Sequence, residues 1–190
     1  METEKLNHKL YSDICQLIED ARSYVANTAN KTITLLYWKI GERINNDLLD
    51  GKRAQYGKQI VSQLATQLQT NYGKRGFEER NIRRMMQFAN LFPDFEMVTQ
   101  AATILSWSHF IELLALKEPI QREFYLKMAI NEKWSRNTLR SKIDGMLYER
   151  TLISGKPEKL IKRELENMQK GADFSPDLVF KNPYFLDFTG

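Results

Sequence analysis

One short stretch of the sequence contains seven polar side chains of the kinds that bind phosphate groups and base edges. Arginine offers a planar fork of donors that fits phosphate and guanine, and glutamine is the ordinary partner of adenine. These candidate DNA-contacting residues are Lys58, Lys74, Arg75, Arg80, Arg83, Arg84 and Gln87. Their spacing predicts a surface that binds a polyanion such as DNA.

The positive charge of the chain is concentrated in residues 51–90. This segment holds eight basic and two acidic residues, a net charge of +6 in a chain whose total is +4. A local basic patch on an otherwise acidic chain is typical of a protein that binds nucleic acid. The alternative is a basic face that only contacts solvent.

Two amphipathic helices are expected to position these side chains. The pattern predicts helices at 58–70 and 77–90, joined by a turn that contains Gly73 and Gly76. At 100° per residue, the second helix carries Ile82 and Met85 on one side and its arginines on the other. Residues 57–92 thus form a helix-turn-helix-like unit, whose second helix could enter a DNA groove. An ordinary surface helix is the alternative.

Three further residues are weaker candidates for DNA contact. Trp107 and Ser108 open a helix predicted to end near residue 117, and Arg136 opens one predicted at 135–150. Ser106 or Ser108 and then Ser135 are the expected N-caps of these helices. Tryptophans beside helix starts are also typical anchors in a core, so Trp107 has this second interpretation.

The spacing of apolar residues in 4–49 predicts one long helix, with a kink or break near 27–32. Gly41 interrupts its apolar pattern, which favours the close approach of another helix. The helix could pack along its own domain or could form a coiled-coil arm that makes a homodimer. Threonines in the apolar seam favour packing along the domain.

The remaining pattern completes an all-α fold. It predicts a loop at 94–105, a helix at 119–131 and a charged helix at 158–170. We expect a multi-helix domain over residues 1–171, followed by a short extended aromatic tail at 172–190 that contains Val179 and Phe180 as a short strand.

The sequence contains little that could perform catalysis. Cys15 is the only cysteine, and His8 and His109 are the only histidines, so we expect no disulfide, no metal site and no cofactor in this chain. His109 lacks a companion nucleophile or base, which favours a packing or capping role. We find neither a membrane span nor a secretory signal, which indicates a cytoplasmic protein.

Several short motifs of the sequence form a recognisable set, namely Tyr37–Gly41, Tyr56–Lys58, Gly73–Phe77, Arg80–Met85, Leu105–His109, Trp134–Leu139 and Asp177–Phe188. Together they resemble the motifs of the YhcG family of bacterial nucleases. The resemblance covers nearly the whole chain, from about residue 10 to residue 188.

The resemblance implies a helical N-terminal domain of unknown function that precedes a PD-(D/E)xK nuclease domain, with residues 172–190 as the junction. That chemistry places carboxylates and a lysine around Mg²⁺. Pro93-Asp94 and Pro176-Asp177 match the first half of the motif, but neither is followed by a D/E-x-K, and Asp50-Gly51-Lys52 precedes both. We therefore expect no nuclease activity from this chain, and Mg²⁺ only in the nuclease domain.

The resulting hypothesis is a non-catalytic module that targets a nuclease domain of the same polypeptide to DNA. The alternative is a protein-interaction or oligomerisation scaffold that does not bind DNA.

Overall fold

The computed structural model describes residues 2–49 and 57–153, without the side chains of residues 2–7, 48, 49 and 58. Within these ranges there are eight helices and no strands, which confirms the all-α prediction. The helix expected at 158–170 and the tail at 172–190 lie outside the described residues. The helices are α1 Glu2–Leu49, α2 Gly57–Tyr72, α3 Glu79–Leu91, α4 Phe95–Ala101, α5 Trp107–Leu114, α6 Pro119–Asn131, α7 Arg136–Asp144 and α8 Leu147–Ile153.

Helix α1 is 48 residues long and continuous. The break considered at 27–32 is absent, since the helix runs through that segment. The hydroxyls of Thr32 and Thr34 donate to the carbonyls of Thr28 and Asn30, at 2.8 Å in both cases. These threonines satisfy their polar groups on their own helix, which lets them occupy helical positions.

The packing of α1 against α3 organises the first compact unit, which ends at Leu114. A Cβ atom on Gly41 would overlap the carbonyl group of Met85 and lie 2.9 Å from the amide nitrogen of Met86. The two backbones therefore touch, as the glycine in the sequence pattern predicted. No residue with a side chain could occupy position 41 without separating the helices.

Buried polar groups of α1 fix its position relative to α3. The Trp38 indole donates to the carbonyl of Phe92 over 2.7 Å. The Asn45 amide donates to the carbonyl of Met86 and to the side-chain oxygen of Asn90, both over 2.9 Å. Because buried donors need partners, these bonds select one register of the two helices.

Apolar packing joins α2 to this pair of helices. Ile44 of α1 lies in one buried cluster with Val61 and Ala65 of α2 and Ile82 of α3. Four aromatic rings form a second cluster against α3, in which Phe88 contacts each of the other three. These rings belong to Phe88, Phe92, Trp107 and Phe110.

The loop expected at 94–105 is wrong in part, because α4 occupies Phe95–Ala101. Asp94 caps this helix, since its carboxylate accepts from the backbone amides of Glu96 and Met97 at 2.9 and 3.1 Å. An aspartate just before a short apolar run is a recognised start signal, so the sequence did contain the information.

The second compact unit begins at Ala115. The sequence predicted one uninterrupted helix at 135–150, but the structure divides this segment into α7 and α8. The division occurs because Gly145 ends α7 and Met146 adopts a positive φ of 54°. The Tyr125 hydroxyl donates to the carbonyl of Lys142 and accepts from the amide of Tyr148. The Tyr125 hydroxyl thus connects α6 with the last turn of α7 and the first turn of α8.

None of the described helices combines the length and the hydropathy that crossing a membrane would require.

We expect Gly41→Ala to lower the midpoint of thermal unfolding by about 5 °C or more. The added methyl must separate two backbones in contact, and such overpacking costs about 2 kcal/mol. Circular dichroism melting measures the shift. The control is Ser12→Ala, on an exposed part of the same helix, which should leave the midpoint unchanged or slightly raised. Equal melting of the wild type and the Gly41 variant would contradict the close contact.

Candidate nucleic-acid interface

The turn between α2 and α3 depends on two glycines in the left-handed region. Gly73 has φ of 89° and Gly76 has φ of 93°, a conformation that side chains disfavour. The amide of Gly73 donates to the carbonyl of Gln69 and closes the end of α2. Lys74 and Arg75 lie between the glycines with exposed side chains. The turn therefore presents two cations to solvent.

Asn81 connects this turn to the core of the first unit. Its amide donates to the carbonyl of Gly76 over 2.7 Å, and its oxygen accepts from the Trp107 indole over 3.1 Å. The Trp107 ring packs edge-on against Tyr37, with 5.2 Å between centroids. This network fixes the start of α3, and sequence analysis did not assign Asn81 or Tyr37 to it.

Tyr37 closes the network beneath the turn. A Cβ atom on Gly76 would lie 2.6 Å from the Tyr37 hydroxyl oxygen, so the glycine is required by space as well as by φ. Burial raises the pKa of Tyr37, the nearby Glu78 carboxylate raises it further, and Arg75 opposes both effects. The phenol therefore stays neutral at physiological pH.

Helix α3 has two clearly different faces. Ile82, Met85, Phe88 and Ala89 are buried, while Arg80, Arg83 and Gln87 are exposed and Arg84 is half-buried. The predicted separation of apolar and basic faces is present in the structure. Phe88, which sequence analysis left out of the apolar face, is fully buried at the centre of the aromatic cluster.

Arg83 is engaged by a carboxylate of its own helix. Its guanidinium donates to Glu79 through Nε at 3.0 Å and Nη2 at 2.6 Å. The hydrogen bonds from Arg83 lower the pKa of Glu79, so the carboxylate stays ionised at physiological pH. The negative charge of Glu79 therefore neutralises the positive charge of Arg83 within the same helix.

Arg80 and Arg84 differ from Arg83 in this respect. Neither has an ion-pair partner within the part of the chain that the structure describes. Their guanidinium groups lie one helical turn apart on the face opposite the core. These two residues therefore contribute uncompensated positive charge to α3.

Three other candidates of the first unit already make intramolecular contacts. Gln87 donates to the carbonyl of Leu114 over 3.1 Å, at the end of α5. Trp107 is half-buried, and its only N–H group donates to Asn81. The exposed Ser108 shares a hydrogen bond with the Ser106 hydroxyl at 2.8 Å. Each of these side chains must exchange a bond to contact a ligand.

The last two candidates are Lys58 and Arg136. The side chain of Lys58 lies outside the description, although its backbone belongs to the first turn of α2. Arg136 is the first residue of α7 in the second unit and is half-buried. Ser135 caps that helix as predicted, since its hydroxyl accepts from the amide of Thr138 at 3.1 Å.

His109 takes a capping position rather than a catalytic one. Its Nδ1 accepts from the backbone amide of Ser106 at 3.1 Å and lies 2.9 Å from the Ser106 hydroxyl. The ring therefore satisfies groups at the start of α5, three residues before its own position. Among the described residues, no group of His, Cys, Asp and Glu side chains could hold a metal ion.

A known protein resembles this chain over most of its length. The chain is 26% identical, over an alignment 210 positions long, to the protein of Escherichia coli (strain K12) that is named Putative nuclease YhcG. The alignment covers 95% of this chain but 55% of that protein, so the chain spans about half of its relative. No solved structure matches the chain.

A family model also matches the chain, over residues 13–150. These residues include α2 and α3 with their turn, and nearly all of the second unit that the structure describes. Since the match extends over well more than half of the sequence, the protein belongs to the family of the DUF1016 N-terminal domain.

Proposed function

We propose that this chain binds DNA through the exposed face of α3 and the turn before it, as the non-catalytic module of a nuclease. The relative from Escherichia coli, which is named a putative nuclease, supports a nucleic-acid substrate for the whole protein. This chain aligns with about half of that relative. Catalysis, with its Mg²⁺, would belong to a further domain of the same polypeptide.

The observation that carries the proposal is the pair of uncompensated guanidinium groups of Arg80 and Arg84 on a helix with a fixed orientation. Arginine binds phosphate through two parallel hydrogen bonds, which need no rearrangement when the helix is already in place. The backbone contact at Gly41 and the Asn81 network hold α3 before any ligand arrives. Lys74 and Arg75 would add phosphate contacts beside it.

The charge distribution along α3 favours contacts to the DNA backbone over contacts to base edges. In a helix-turn-helix protein, the first residues of the second helix usually reach the bases. Here Glu78 precedes α3 and Glu79 is its first residue, and carboxylates repel phosphates on both sides of a groove. We therefore expect binding with little sequence preference, through phosphate contacts.

A second candidate function is protein interaction through α1. The observation in its favour is the row of apolar side chains that the first half of this helix exposes. This surface lies on another helix from the basic face, so the two functions are compatible.

We expect the double variant Arg80→Ala/Arg84→Ala to weaken binding to duplex DNA at least about tenfold, because two phosphate contacts are lost. The slope of log affinity against log salt should fall by roughly 1.8. Fluorescence anisotropy at two salt concentrations measures both quantities.

The control for this experiment removes the same charge elsewhere. Arg22 and Arg43 are exposed arginines of α1 that pair with Glu19 and Asp47, so Arg22→Ala/Arg43→Ala should bind almost as the wild type does. If both double variants bind alike, α3 is not the interface. Circular dichroism confirms that the helices persist.

Removing the carboxylate that engages Arg83 should strengthen binding. Glu79→Gln releases the Arg83 guanidinium and removes a negative charge from the interface, so we expect about three- to tenfold tighter binding. Glu96→Gln is the control, because it makes the same charge change in the first turn of α4. An equal gain in both variants would show that only net charge matters, and the specific role of α3 would be rejected.

A further inference from the structure

The first half of α1 exposes an apolar stripe, here the α1 stripe. Every described residue from 8 to 30 is exposed except Cys15, which is half-buried. Seven large apolar or aromatic side chains in this part are between 45% and 74% exposed. They are Leu10, Tyr11, Ile14, Leu17, Ile18, Tyr24 and Val25. The expectation that α1 packs along its own domain therefore holds for its second half alone.

The α1 stripe is not a continuation of the face that α1 buries in the first unit. At 100° per residue, the stripe occupies an arc of about 140°. The buried positions Thr34, Trp38, Gly41 and Asn45 are centred roughly 140° away around the helix axis. The core of the first unit thus does not extend onto the stripe, which is left accessible to another partner.

The size of the stripe fits a stable interface. Its seven side chains lie within 16 residues, or about 24 Å of helix. Together they expose on the order of 700 Å², which exceeds the largest apolar patch of a typical monomer and approaches the roughly 800 Å² per partner of a standard interface.

The spacing within the stripe is that of helix-helix packing. Leu10 and Leu17 are one heptad apart, as are Ile14 and Ala21. Leucine and isoleucine at alternating three- and four-residue steps form a coiled-coil seam. Ile18 and Val25 widen the seam on one side, and Thr28 is where it ends. A matching apolar helix is the partner that such a seam accommodates.

Charge and symmetry favour a second copy of this chain as the partner. Residues 8–33 contain three basic and three acidic residues, so two copies would not repel each other through net charge. The basic residue Arg22 is already paired with Glu19 on its own helix. When two copies are related by a two-fold axis, the stripe of each copy packs against the stripe of the other. A single interface then buries both stripes.

We infer that residues 10–25 of α1 pair with the same segment of a second copy, which makes the protein a dimer through its N-terminal helix. A second copy of the chain is thus the partner for the protein interaction through α1 that is the second candidate function. This dimer does not depend on DNA binding. The faces that α1 uses within the first unit and between copies are different, so pairing leaves the contact between α1 and α3 intact.

The test measures molar mass by multi-angle light scattering during gel filtration. The wild-type chain should have about twice its monomer mass of 22.3 kDa. Leu17→Glu/Val25→Glu should have the monomer mass, because charges on the seam cannot be buried without partners. Both positions are exposed, so the fold of the first unit should survive, which circular dichroism verifies.

The matched control places the same two charges on the other side of the same helix. Ser12→Glu/Ser23→Glu changes two exposed positions outside the stripe and should remain a dimer. A wild-type monomer at concentrations up to about 100 μM, above typical values for specific association, would overturn the inference. A dimeric seam variant would do the same. DNA binding of these variants is measured separately, since its loss would concern the proposed function alone.

Discussion

The contact between the backbones of α1 and α3 at Gly41 is the constraint on which the first unit depends. Because position 41 has no side chain, the Met85 backbone can approach α1 directly. This approach brings the side-chain donors of Trp38 and Asn45 within hydrogen-bond distance of carbonyl groups of Phe92 and Met86. The buried face of α3 is set by this approach. Its opposite face, which carries the arginines, is oriented as a consequence.

The sequence predicted the helices well wherever periodicity was strong. The bounds of α2 and α6 and the opposed faces of α3 followed from the spacing of apolar residues, and Gly41 indicated a close helix contact before its partner was known. Predictions failed where one residue decides the local structure. Asp94 starts α4 within an expected loop, and the positive φ of Met146 divides one predicted helix into two.

The candidate interface was less accessible from sequence, because residue types do not reveal which side chains already have partners. Three arginines of α3 look equivalent in the sequence, yet Glu79 neutralises Arg83 alone. Trp107 was considered both a DNA contact and a core anchor, and its indole bonds to Asn81, 26 residues away. The pairing of Trp107 with Asn81 depends on the packing of separate helices, which periodicity cannot specify. The pair of Glu79 and Arg83 lies four residues apart on one helix, so its spacing was already present in the sequence.

The continuity of α1 has a consequence for how its exposed half folds. Starting a helix in water is unfavourable because several residues must be ordered for the first hydrogen bond, whereas each later residue adds one bond. The half of α1 buried against α3 supplies this first turn through tertiary packing. The exposed half therefore extends from an existing helix toward the N-terminus and does not need to start a helix of its own.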